Sequence, residues 1–169
     1  MSAATDTDRQ QGDAARTVTL LRRGLLTVAG LTIVGIALDL VMEEHWTKPS
    51  QLIAWAALVA LAVAIGLLAG AAGAWRVRAA LRIAAVVIAS AALGVWEHVE
   101  GNHDSGPLDA RYADTWDGLG PSAQWWLAIR KGVGPAPPLA PGALAIGGLI
   151  VLLASVGLPA DVERRPRRR

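Results

Sequence analysis

Leu52 to Trp75 reads LIAWAALVALAVAIGLLAGAAGAW, and no charged residue interrupts it. As a helix this run is about 36 Å long, enough for the ~30 Å hydrocarbon core of a bilayer, which takes ~20 helical residues. Outward from it, three more segments meet the same requirement. Gly24 to Met42 is apolar except for Asp39 near its end, Ala79 to Trp96 holds only Arg82 near its start, and Leu139 to Leu158 is uncharged and stopped by Pro159. The long stem of Arg82 lets its charge snorkel to an interface. In the last segment Pro141, Gly142 and the Gly147-Gly148 pair weaken helix propensity. The expected fold class is all-α: a polytopic membrane protein of four transmembrane helices plus a short outer interfacial helix. Residues 1–23 form a polar cytoplasmic tail, 24–158 the transmembrane domain with an outer loop over 97–138, and 159–169 a basic cytoplasmic tail.

Composition agrees with this reading. Of the 169 residues 53% are apolar and 18% charged, and the charges collect in short blocks between the long runs. Cysteine is absent, which excludes disulfides, thiolate metal sites and cysteine nucleophiles together. Heavy use of Ala and Gly, with Arg preferred to Lys, points to a GC-rich bacterial genome. No small-residue cleavage site follows the first apolar run, so it reads as a retained span rather than a signal peptide.

Orientation follows from the basic residues. Arg9, Arg16, Arg22 and Arg23 precede the first span, Arg76, Arg78 and Arg82 join the second to the third, and Arg164, Arg165, Arg167, Arg168 and Arg169 follow the fourth. Only Lys48, Arg111, Arg130 and Lys131 lie in the other two loops. The basic side faces the cytoplasm, so both termini are expected there, in the cell (inner/plasma) membrane. Trp46, Trp96, Trp125 and Trp126 then flank the outer span ends and Trp75 the inner one, as interfacial anchors.

Small residues recur at helical spacing: Ala62, Gly66 and Gly70 on span two, Ala85 and Ala89 on span three. Such stripes let helix backbones approach closely, and packing within the bundle is favoured over a homo-oligomer contact. In the outer loop, Pro121-Ser122 starts a helix and Gly132 stops it. Ser122 to Lys131 is therefore expected as a helix on the outer membrane surface, with Trp125, Trp126 and Ile129 on its apolar face. Pro135, Pro137, Pro138 and Pro141 make a stiff link back into span four.

Chemistry-bearing residues concentrate at two span ends. Span one ends in Asp39, Glu43, Glu44 and His45; span three ends in Glu97, His98, Glu100 and His103. Both spans run outward, so both clusters face the same side, and all three histidines lie in them. Asp39 and Glu43 share a helix face, as do Glu97 and Glu100. Glu100 and His103 have the Glu-x-x-His spacing of di-metal carboxylate bundles, although Gly101-Asn102 is expected to end the helix before His103. Carboxylate and neutral imidazole together suit a divalent metal ion such as zinc, iron or manganese, and these eight residues are the candidate ligands. Against this stands the plainer reading that they are solvated acids in outer loops. Asp39 fits that reading least, because it lies inside the apolar run.

No phosphate loop, zinc-protease motif, hydrolase elbow or dinucleotide fingerprint occurs. The Arg-rich C-terminus fits a topology signal better than nucleic-acid binding. A faint internal repeat pairs Val41-Met42-Glu43 with Val95-Trp96-Glu97, as in parallel-repeat transporters.

Glu44-His45-Trp46 with Gln51-Leu52-Ile53, and Leu139-Ala140-Pro141-Gly142-Ala143-Leu144-Ala145 at the last span, resembles a group of small, uncharacterised bacterial four-span membrane proteins. The resemblance implies a shared topology and supplies no activity. Three functions are carried forward. The first is a membrane accessory or structural protein without catalysis, its acidic, histidine-bearing outer surface meeting a partner or an ion. The second is a divalent-metal binder or transporter, and the third a metal-dependent membrane enzyme. Expected partners are the lipid bilayer and either another membrane protein or a second copy of the chain.

Overall fold

The computed structural model describes residues 2–70 and 73–158, apart from the side chains of residues 2–9. The C-terminal arginines from Arg164 to Arg169, and Pro159 as the stop of the last segment, lie outside the described residues. Five α-helices and three short 3-10 turns account for the ordered elements, and no strand occurs among the described residues. The helices are α1 Ser2–Met42, α2 Leu52–Ala69, α3 Ala74–Asp104, α4 Pro121–Ile129 and α5 Gly142–Ala154.

α1, α2 and α3 are long and apolar enough to cross a bilayer. Less than a third of each apolar window is buried. Val34, Leu38, Val59, Val63 and Val86 instead project from the surface, each at least half exposed. A water-soluble bundle would turn such residues inward, because broad exposed apolar surface is disfavoured in water. The fold is therefore compatible with a multi-pass membrane protein.

α5 is shorter: its 13 residues reach about 20 Å. It packs against α1, α2 and α3. Glycine makes this approach close. A methyl group on Gly148 would come within 2.8 Å of the Ile88 side chain and 3.1 Å of the Ala84 carbonyl oxygen, and one on Gly147 would strike Leu61. The glycine pair that weakens α5 by propensity thus lets its backbone approach that of α3 and makes room for Leu61 of α2.

Several boundaries differ from the sequence reading. α2 stops at Ala69, and Trp75 belongs to the first turn of α3. An uncharged run cannot separate one helix from two joined by a turn, and here Gly70 and Gly73 break the run. α3 runs on through Gly101 and Asn102 to Asp104, so the expected stop before His103 does not occur. Residues 2–23, expected as a polar tail, continue α1 as helix.

The small-residue stripes also face differently. Ala62, Gly66, Ala85 and Ala89 are exposed, while Ala57, Leu61, Ala64 and Leu68 pack on α2 and Ala80, Ala84, Val87 and Ala91 on α3. In helices apolar on every side, hydrophobicity does not mark the packed face.

One end of the bundle carries arginines, the other the histidines. At the arginine end Arg22 donates to the carbonyls of Ala154 at 2.9 Å and Val156 at 3.2 Å, and Arg76 donates to that of Gly66 at 3.3 Å. Both cations satisfy carbonyls that a helix C-terminus leaves without partners, where its dipole is negative.

At the histidine end, residues 97–141 fold into a cap on the protruding end of α3. Val99, Trp116, Leu127, Ala128 and Val133 form its buried core. α4 buries Leu127 and Ala128 there, while Trp126 and Ile129 stay exposed. The expected single apolar face of Trp125, Trp126 and Ile129 is therefore divided, because Trp125 turns inward to stack on Trp96 at 5.4 Å between ring centroids.

Candidate cation site at the histidine end

The positioning of His45 begins with the end of α1. The His45 amide bonds back to the Leu40 carbonyl at 2.8 Å and Glu44 adopts φ 46°, which is the Schellman closure with Glu44 where glycine is usual. This reversal folds His45 over the end of its own helix. Trp55, one turn into α2, donates its indole N–H to the His45 carbonyl at 2.8 Å and fixes the turn. Gln51 holds the next residues, its side-chain oxygen accepting from the Lys48 amide and the Thr47 hydroxyl.

His98 is held from the other side. Its Nδ1 lies 2.8 Å from the Pro137 carbonyl oxygen. A carbonyl only accepts, so Nδ1 donates to it, and Nε2 is the ring nitrogen left to meet a ligand. This is the arrangement in which backbone orients an imidazole for a ligand. The Pro137 segment is itself clamped by Asn102, which is fully buried. The Asn102 amide donates to the Ala136 carbonyl at 2.7 Å and the Ala128 carbonyl at 3.3 Å, and its oxygen accepts from the Ala136 amide at 2.9 Å. Gly134, at φ +74°, lies against Asn102 so closely that any side chain would collide. A second clip is Arg111, bonded to both carboxylate oxygens of Asp109 and to the Gly132 carbonyl. Hydrogen bonds from Arg111 hold Asp109 well below the usual carboxylate range, at about 2.

Between these supports lies a cleft of about 480 Å³. Asp39, Glu43 and His45 line it from the α1 side and Glu97 and His98 from α3, with Lys48 at the edge. The two imidazoles meet edge to face, their centroids 6.3 Å apart. Burial lowers the pKa of His45 and the neighbouring His98 lowers it further, while Glu43 and Asp39 pull it back upward. Both glutamates and Asp39 are exposed along the opening. Among the described residues no three His, Asp or Glu side chains are gathered closely enough to hold a metal ion as they stand.

Five of the eight candidate residues thus line one cleft, and three do not. Glu44 points outward from the Schellman turn, and Glu100 is exposed on the cap side of α3. His103 stacks on Trp125 at 4.3 Å, meets Trp116 edge-on at 5.6 Å, and lies 3.7 Å from Asp104. His103 therefore packs in the cap, and neither residue of the Glu-x-x-His pair lines the cleft. Sequence reasoning missed Asn102, Trp55 and Pro137, which hold the site without ionising. A buried-site signal was present only for Asn102, an amide side chain inside a helix.

Among the described residues the protein is all-helical, with three helices long and apolar enough to cross a bilayer, which is compatible with a multi-pass membrane protein, and with an ionisable cleft at one end of its bundle. Compared with known proteins, the chain matches no family model, no curated protein and no solved structure.

Proposed function

We propose that the chain is a small accessory protein of the cell membrane, without catalysis, whose outer-face cleft binds a cation, with a divalent metal ion as the first candidate. In this reading α5 with its flanking turns completes a fourth crossing, both termini lie in the cytoplasm, and α4 rests at the outer interface. Short length does not bar α5 from that role, since it packs against α1, α2 and α3 and uncharged residues extend it at both ends to the 20 residues from Leu139 to Leu158. The arginine asymmetry supports the orientation, and the exposed Trp96 and Trp126 suit the outer headgroup level. The resemblance of the Glu44-His45-Trp46 motif to a four-span group implies a shared topology.

The convergence of Asp39, Glu43 and His45 with Glu97 and His98 on one cleft carries the functional reading. Three carboxylates around one opening, with a single lysine beside them, give it a negative field that favours a cation. The exposed Glu43 and Glu97 side chains are free to swing inward, and His98 already presents Nε2. Calorimetry with zinc or manganese ions on protein in micelles tests this. Saturable binding that weakens in both His45→Ala and His98→Ala is the expected result. Absence of saturable binding, or binding untouched by either change, refutes it. Glu44→Gly should leave binding intact, because Glu44 stands outside the cleft.

A further inference from the structure

The cleft is far larger than a metal ion needs. A water molecule takes ~30 Å³ of liquid volume, whereas about 480 Å³ falls within the ~300–1,000 Å³ of small-molecule pockets. Its lining is mixed in polarity. From Glu43 down to Ile36 on α1, and from Glu97 down to Ser90 on α3, each wall descends two turns, about 10 Å. The rim holds Glu43, Glu97 and the two imidazoles, with Asp39 halfway down. Between the acids, Ile36, Leu40, Ile53, Leu93 and Leu144 give the cleft an apolar lining, in which Leu40 and Leu144 are buried and Ile53 and Leu93 are exposed. Three carboxylates face one lysine, so the opening attracts positive charge while the apolar lining accepts hydrocarbon.

We propose that this cleft takes an ammonium group carried on an apolar body, the ammonium lying among Asp39, Glu43 and Glu97 and the body on the apolar lining. This rests on the reading of the cleft as a cation site and names a second ligand class for it. An ammonium donates three hydrogen bonds in any direction and demands no fixed coordination geometry. Carboxylates spread over about 6 Å of wall, from Glu43 and Glu97 at the rim to Asp39 one turn below, and not gathered around one point, suit it better than they suit a metal. Two sources share this chemistry: a soluble amine, or the amine headgroup of an outer-leaflet lipid.

The test uses the full chain in lipid nanodiscs made with phosphatidylglycerol, titrated by calorimetry with 2-phenylethylammonium, 2-phenylethanol, methylammonium and zinc ions. Saturable binding of 2-phenylethylammonium is expected, with 2-phenylethanol and methylammonium each weaker by about tenfold or more, since one lacks the charge and the other the body. Asp39→Asn and Glu97→Gln, both at exposed positions, should each weaken it about tenfold. Equal binding of 2-phenylethanol, or binding unchanged in both variants, overturns the proposal. Zinc binding without 2-phenylethylammonium binding overturns it too, yet leaves the cation-site reading standing. Failure of both ligands removes the two together. Weaker 2-phenylethylammonium binding in discs containing phosphatidylethanolamine assigns the occupant to the lipid, and unchanged binding assigns it to a soluble amine.

Discussion

Asn102→Ala isolates what the buried amide contributes to the cap. Asn102 is fully buried, and two of its three hydrogen bonds go to one residue, Ala136, whose N–H and C=O it satisfies at once. The third, to the Ala128 carbonyl, is long at 3.3 Å, and that carbonyl also accepts from the Lys131 amide. The loss therefore falls mainly on Ala136. A buried backbone group left without its partner costs ~1–3 kcal/mol, partly relieved where water enters. Two such groups, both on the half-buried Ala136, give about 2–4 kcal/mol for the local closing of the cap. At 1.4 kcal/mol per factor of ten this is about 30- to 700-fold in the opening equilibrium. Hydrogen exchange reads it cleanly, because Ala136 carries the only amide N–H between Pro135 and Pro138. Peptides covering Gly132 to Ala140 should exchange faster by that factor, while peptides from the cores of α2 and α3 should be unchanged. The Pro137 carbonyl is one residue away, so the His98 contact should loosen as well. Exchange at Ala136 equal to that of the unaltered chain would refute the clamp.

Reporter fusions after Arg169 and between Arg76 and Arg78 should report the cytoplasm and one near Asp109 the outside; a cytoplasmic signal near Asp109 overturns the orientation. Arg22→Ala should lower stability by about 1–2 kcal/mol, since two carbonyls at the end of α5 lose a charged donor that is only half buried. Arg22→Lys should recover part of this, as a single ammonium does not reproduce the two-point geometry, and thermal unfolding in micelles measures both. The lowered pKa of His45 means that the unfolded chain binds the proton more readily, so stability rises with pH across that window and is lost as pH falls below the ordinary value of 6.5. Comparison of unfolding at pH 7.5 and 5.5 should show a drop that His45→Asn reduces, and an identical drop in the variant would assign it elsewhere.

The all-helical class and the three long apolar helices were legible in the sequence, because a bilayer-length uncharged run has few other stable uses. The two Glu-His span ends were legible as candidates for the same reason: topology alone puts the ends of α1 and α3 on one side. Sequence could not say which face of α2 or α3 packs, since apolar residues surround both helices and only the neighbours choose between them. Nor could it split Leu52 to Trp75 at Gly70, or tell that Gly147 and Gly148 serve close packing rather than weakness. The division of the eight candidates was decided by tertiary structure. A reversal at Glu44 turns His45 inward and Glu44 away, and one further turn of α3 carries His103 past the cleft into the tryptophans. Trp55, Asn102 and Pro137 orient the site through side-chain-to-backbone hydrogen bonds, and of the three only Asn102 carries a signature in residue type. Those bonds join residues 10 to 39 positions apart, and only the folded chain brings them together.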